Sequence, residues 1–151
     1  MSTRCSARAG SAAPDVDLDA AREFLRVHHR AVLATSRADG RPQLSPVTAA
    51  VDDEGRVLVS TRETAIKTRN LRRDPRASLC VLNDGFYGEW IQAEGTAEIV
   101  PLPDAMEILV SYYRRVAGEH PDWADYRAAM ERDRRVIARI TLTRAGPDIS
   151  G

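Results

Sequence analysis

The residues with the most chemical potential lie in one run, Ser60-Thr61-Arg62-Glu63-Thr64-Ala65-Ile66-Lys67-Thr68-Arg69-Asn70-Leu71-Arg72-Arg73-Asp74-Pro75-Arg76. Six basic and two acidic side chains give it a local charge of +4 on a chain whose net charge is zero. The pattern places Ser60, Thr61 and Arg62 at a strand end and Lys67 one turn into the helix that follows. A strand end, a loop and a helix N-terminus can converge on one anion, because free backbone N–H groups and the helix field add to the side-chain charges. Arg offers a planar fork for phosphate oxygens and Lys a mobile point charge. Lys67 and Asn70, three apart, share a helix face. A merely solvated helix has the same composition, and Arg69, Arg72, Arg73 and Arg76 cannot all face one ligand. The chain has 21 arginines and one lysine, Lys67, so each Arg is a weak signal and Lys67 a stronger one.

A second patch is Gln43-Leu44-Ser45-Pro46-Val47-Thr48. On a strand, Gln43, Ser45 and Val47 share one face, and Leu44 and Thr48 the other. Polar side chains beside prolines suit the rim of a ring-binding cleft, although a half-exposed strand gives the same pattern. Other chemistry is poorly supported. His28, His29 and His120 lack zinc-ligand spacing. Cys5 and Cys80 stand far apart and form no scaffold. Asp52-Asp53-Glu54 reads as a turn and lacks the spaced oxygen donors of a calcium loop. No nucleophile elbow or P-loop occurs, and Glu89, Glu94 and Glu98 offer no obvious acid pair.

These patches need elements to hold them. Residues 1–16 read as a flexible arm, 17–146 as the domain and 147–151 as a tail. Asp17 can cap a helix over 18–29. Strands are expected at 31–38, 41–51, 56–61, 76–82, 87–100 and 134–143, with turns at Asp39-Gly40, Asp53-Glu54-Gly55 and Asn83-Asp84-Gly85 and an end at Gly146-Pro147. Helices are expected at 64–73, 103–117 and from Pro121 to about 132, where Trp123, Tyr126 and Met130 form a packing stripe. Short antiparallel links favour a small closed or split β-barrel with flanking helices over a Rossmann sheet. A packed barrel of this size leaves a large ligand a cleft, economically placed at a dimer interface.

The chain has 151 residues, 22 basic and 22 acidic side chains and a pI of about 6.8. That balance argues against nucleic-acid binding. No apolar run approaches membrane-spanning length, and residues 1–13 lack the apolar core of a signal peptide. A cytoplasmic protein is expected.

Several stretches together resemble a known family. They are Val32-Leu33-Ala34-Thr35, Gly40-Arg41-Pro42-Gln43-Leu44-Ser45, Lys67 through Ser78, Ala93-Glu94-Gly95-Thr96-Ala97, and Tyr113 through Trp123. In order and spacing the chain is similar, over about residues 20–145, to the pyridoxamine-phosphate-oxidase-like split β-barrel flavoproteins. It looks closest to their actinobacterial F420-dependent reductases. The resemblance implies a homodimer with two interface clefts and a cofactor of F420, with FMN as the alternative. Phosphate-binding side chains then map onto Arg62 and Lys67. Ser60 and Thr61 match the polar end of the same strand, with Asn70 nearby. Gln43 and Ser45 match the strand facing the tricyclic ring, Val47 adds an apolar contact, and Trp90 matches a less constant position. The implied activity is hydride transfer from reduced F420 to a small electrophilic acceptor such as an enone, quinone or tetrapyrrole. The competing class is a cofactor carrier without turnover. The elaborate substrate end of the vitamin-processing oxidases is not found here.

Overall fold

In the computed structural model, residues 16–151 are described. The expected N-terminal arm, Cys5 included, lies almost wholly outside them. The elements run α1 (Leu18–Val27), β1 (Arg30–Ser36), β2 (Pro42–Val51), β3 (Val57–Arg62), α2 (Ile66–Arg73), β4 (Arg76–Leu82), β5 (Trp90–Val100), α3 (Ala105–Ala117), α4 (Trp123–Arg132) and β6 (Arg135–Asp148). The six strands close into an antiparallel barrel in the order β1-β2-β3-β6-β5-β4. No described helix is long and apolar enough to cross a membrane.

Alternation along each strand decides what enters the barrel. Ala31 and Leu33 of β1, Val57 and Val59 of β3, Leu79 and Val81 of β4, and Ala138 and Ile140 of β6 meet in one buried cluster. Helix α1 contributes Ala21 and Leu25 to that cluster, and the Asp17 carboxylate caps it by accepting from the Asp19 N–H at 2.9 Å. The helix stops at Val27, before the expected residue 29. His29 is already committed to β2: its carbonyl accepts from Ala49 N at 2.7 Å and its Nδ1 lies 2.8 Å from the Ala49 carbonyl.

A second cluster explains why Val57-Leu58-Val59 is apolar without a break. Leu58 points outward and packs with Ile137, Val100, Leu109, Val110 and Tyr126. Strand β3 is therefore buried on both faces, as a continuous apolar run predicts. This cluster fastens α3 and α4 to the outside of the barrel. The Tyr126 hydroxyl donates to the Leu109 carbonyl at 2.8 Å, and Trp123 and Tyr126 stand edge to face at 5.5 Å. The expected aromatic stripe is thus packing.

Two boundaries differ from expectation. Strand β5 begins at Trp90 because residues 83–89 form a closed turn, with Asn83 N donating to Glu89 O and Gly88 N to Gly85 O, both at 3.0 Å. Strand β6 does not end at Gly146-Pro147 but continues to Asp148, which pairs with Ile91. Its register shifts between Ile91 and Ala93, and an irregular ladder tolerates a proline that has no N–H to give. Gly95 is demanded by packing, since a Cβ there would lie 2.1 Å from the Thr141 carbonyl oxygen.

Candidate functional site

The barrel is split on one side. Strand β2 pairs with β1 along Arg30↔Thr48 to Ser36↔Pro42, yet it meets β3 only at Ala49↔Val59, Ala50↔Leu58 and Val51↔Val57. Beyond Ala49 the two strands diverge. The bonds Ala49 N to His29 O and Arg37 N to Arg41 O show that odd-numbered β2 residues bond to β1. Pro42, Leu44, Pro46 and Thr48 therefore turn their main-chain groups toward the opening. Two of the four have no N–H, which limits unwanted strand pairing. The Thr48 carbonyl is satisfied by the Tyr112 hydroxyl at 2.9 Å.

A cleft of about 1170 Å³ lies on the outer face at this divergence. Its floor includes Pro46, Ser60 and Arg62. Tyr112 and Tyr113 of α3 and Tyr126 and Met130 of α4 form a wall. The start of α2 closes one end with Thr64, Ala65 and Lys67, while Arg30, Leu82 and Phe86 stand at the other. Among the described residues no lining side chain is a carboxylate, imidazole or thiol. Burial raises the Tyr112 pKa, and burial foremost pushes that of Tyr126 up to about 12, so both are neutral hydroxyls.

Charge concentrates at the α2 end. Arg62 and Arg135 are directly opposite each other in the β3–β6 ladder. Like charges so placed repel. Lys67 is close enough for Arg135 to lower its pKa, although burial is the larger cause. The acid nearest in sequence, Glu63, is taken by Arg72 through two bonds of 2.7 and 2.9 Å. Among the described residues no ion pair engages Arg62, Lys67 or Arg135, and the buried Arg135 Nε has no hydrogen-bond partner. Buried polar groups normally find partners, so an unmet guanidinium nitrogen is informative.

Local bonds hold this arrangement. The Thr68 hydroxyl donates to the Arg62 carbonyl at 2.7 Å and lies 3.3 Å from the Thr61 hydroxyl, fixing the start of α2 to the end of β3. Ala65 occupies the N-cap without a side-chain bond, and the first turn holds no acid. Its N–H groups thus remain available to an anion. Arg134, left-handed at φ 51°, turns the chain from α4 into β6 just before Arg135. Non-glycine residues rarely take this conformation.

The cleft gathers Val47, Ser60, Thr61, Arg62 and Lys67. Thr61 turns its side chain into the barrel. Gln43, Ser45, Asn70 and Trp90 are not in its lining. Gln43 and Ser45 pair with Thr35 and Leu33, so their shared face, Val47 included, points inward rather than onto the outer surface. The Ser45 hydroxyl is buried without a partner. Asn70, only 4% exposed, donates to the Thr35 hydroxyl at 3.0 Å and accepts from Arg73 at 2.9 Å, bracing α2 against β1. Trp90 is half-buried at the foot of β5. Arg72 and Arg73 are also occupied, the latter by the Ser36 carbonyl at 2.6 Å, and neither lines the cleft. Sequence reasoning did not single out Arg135, Arg30 or Tyr112. For Arg135 the signal exists only in the strand register, which sets it beside Arg62.

Comparison with known proteins accords with this architecture. The family described as pyridoxamine 5'-phosphate oxidase matches residues 18–146. A conserved hypothetical protein, Rv2991 from Mycobacterium tuberculosis, is 33% identical, with 89% of this chain and 86% of that one covered and a TM-score of 0.70. An F420 reductase shares the fold at 24% identity, with 83% and 94% covered and a TM-score of 0.65. A heme binding protein from Mycobacterium smegmatis shares it at 19% identity, with 93% and 56% covered and a TM-score of 0.67. The chain belongs to the pyridoxamine 5'-phosphate oxidase family of split barrels.

Proposed function

We propose that this protein binds the deazaflavin F420 in its split-barrel cleft and acts as an oxidoreductase on a small electrophilic acceptor. The observation that carries this reading is the convergence of Arg62, Lys67 and Arg135 on one cleft without an acidic partner. The unmet Arg135 Nε and the uncapped start of α2 are donors suited to phosphate oxygens. Pro46 and Ser60 would give the ring a floor of mixed polarity, beside the α3–α4 wall.

When bound, F420 supplies hydride chemistry and reacts poorly with oxygen. The protein's part is to anchor, orient and exclude water. Arg62, Lys67 and Arg135 anchor the phosphate. Tyr112, held on the Thr48 carbonyl, keeps α3 over β2 and sets the width of the cleft. Among the described residues no carboxyl, imidazole or thiol lines the cleft and the Tyr112 and Tyr126 hydroxyls are given to main-chain carbonyls, so water or the acceptor itself would supply the proton. A second copy of the chain covers the open side, where Leu44 is 61% exposed.

FMN also carries a phosphate and is the competing occupant. The likeness to an F420 reductase and the run from Lys67 to Ser78 support F420. Arg72 and Arg73 are engaged with Glu63 and the Ser36 carbonyl and lie outside the cleft lining, so the anionic tail of F420 would not rest on them. A haem occupant has less support because no imidazole or thiolate among the described residues lines the cleft and the Tyr112 and Tyr126 hydroxyls donate to main-chain carbonyls. Equilibrium titration of wild type and Lys67→Ala with F420 tests the reading: the variant weakens binding at unchanged fold, and equal affinities refute the phosphate site.

A further inference from the structure

The end of the cleft opposite the three cations is closed by a feature that the fold does not need. The turn between β4 and β5 presents Phe86 and Tyr87, 74% and 94% exposed, as an edge-to-face pair with ring centres 5.0 Å apart. Neither ring enters either buried cluster. Yet the turn is closely built. Gly85 N donates to Asn83 Oδ1 at 2.9 Å, and a Cβ on Gly88 would lie 2.1 Å from Asn83 Nδ2. Arg30 tethers it to β1 by reaching the Asp84 carboxylate at 3.7 Å. Phe86 lines the cleft together with Leu82, Val32 and Pro46. In the strand order this apolar end, on β4 and β1, lies across β2 from the β3 anchor.

The geometry points to Phe86, with Tyr87 behind it, as the element that binds the electron acceptor and selects a flat, conjugated, uncharged one of at least two fused rings. This rests on the cofactor reading above, which fills the cationic end and leaves the Phe86 end for the second reactant. An edge-to-face pair gives an incoming planar ring a stacking surface already held in place by its neighbour. Leu82, Val32 and Pro46 offer no charge to an ionic acceptor, and Arg30, which also stands at this end, is paired with Asp84. A compact, non-planar acceptor would not cover the ring.

The test uses 2-methyl-1,4-naphthoquinone as probe and the F420-loaded protein, with Phe86→Ala and Phe86→Tyr. Probe affinity is read from saturable fluorescence quenching, F420 affinity by titration, and oligomeric size in solution. The expected result is that Phe86→Ala weakens the probe by about five-fold to ten-fold, that Phe86→Tyr restores it, and that F420 affinity and melting temperature do not change. No saturable binding of the probe to wild type, or equal binding by Phe86→Ala, overturns the proposal. So does a change of oligomeric size in Phe86→Ala, which would make the tip a subunit contact. If wild type does not bind F420, the same titrations on the unloaded protein decide. Loss of F420 binding with retained, Phe86-dependent probe binding refutes the cofactor reading alone.

Discussion

Replacing Arg135 by Gln separates binding from stability, because the two effects have opposite signs. In the unliganded protein Arg135 faces Arg62 across the ladder, weakens the protonation of Lys67 and has a buried Nε without a partner. Removing its charge relieves a like-charge cross-strand pair, worth up to about 1 kcal/mol. For a domain of this size that raises the melting temperature by roughly 2–4 °C. Gln keeps part of the side-chain stem, so little packing is lost. Binding moves the other way. Loss of one charge-assisted bond to a phosphate costs about 1.5–3 kcal/mol, a rise in Kd of about ten-fold to a hundred-fold. The assay is thermal unfolding in phosphate-free buffer at low ionic strength, paired with F420 titration in the same buffer. Added salt shrinks the stability gain, since it screens the exposed Arg62. A variant that melts lower and binds F420 as wild type does refutes the argument.

Further predictions follow from the same contacts. F420 affinity falls as pH rises through the Lys67 pKa, which lies below its ordinary 10.5, and Lys67→Arg moves that loss to higher pH; identical pH profiles exclude Lys67 from the site. In the unliganded protein the lowered pKa has the reverse consequence: its penalty is present below the folded-state pKa and is relieved as pH rises toward 10.5. Arg134→Gly removes left-handed strain and raises stability by up to about 1 kcal/mol, measured by denaturant midpoint. Asn70→Ala breaks the bonds to Thr35 and Arg73 and costs about 1–3 kcal/mol of stability. Its F420 affinity stays within about two-fold of wild type, whereas a large affinity loss at unchanged stability would return Asn70 to the binding site.

What was legible in the sequence was what period and turn chemistry encode. Alternation in β4 and β6, the Asp39-Gly40 turn and the Asp17 cap all place elements correctly. Glycine and proline misled at Gly146-Pro147, where tertiary pairing with β5 carries the strand onward. Local charge marked Arg62 and Lys67, which the fold brings to one cleft. It also overstated Arg72 and Arg73, whose partners Glu63 and Ser36 lie 9 and 37 residues away. The inward turn of Gln43 and Ser45 follows from the register with β1, which alternation alone does not orient. Arg135 was hidden because 73 residues separate it from Arg62 and only the barrel sets them side by side.

The central claim is that the three-cation cleft holds the phosphate of F420. It is tested most directly by equilibrium titration of the purified wild-type protein, stripped of bound cofactor, with F420 and with FMN in one buffer at moderate salt. Saturable binding of F420 is expected, tighter than that of FMN and weakened by added salt as a phosphate contact requires. Stoichiometric FMN binding with no measurable affinity for F420 would contradict it.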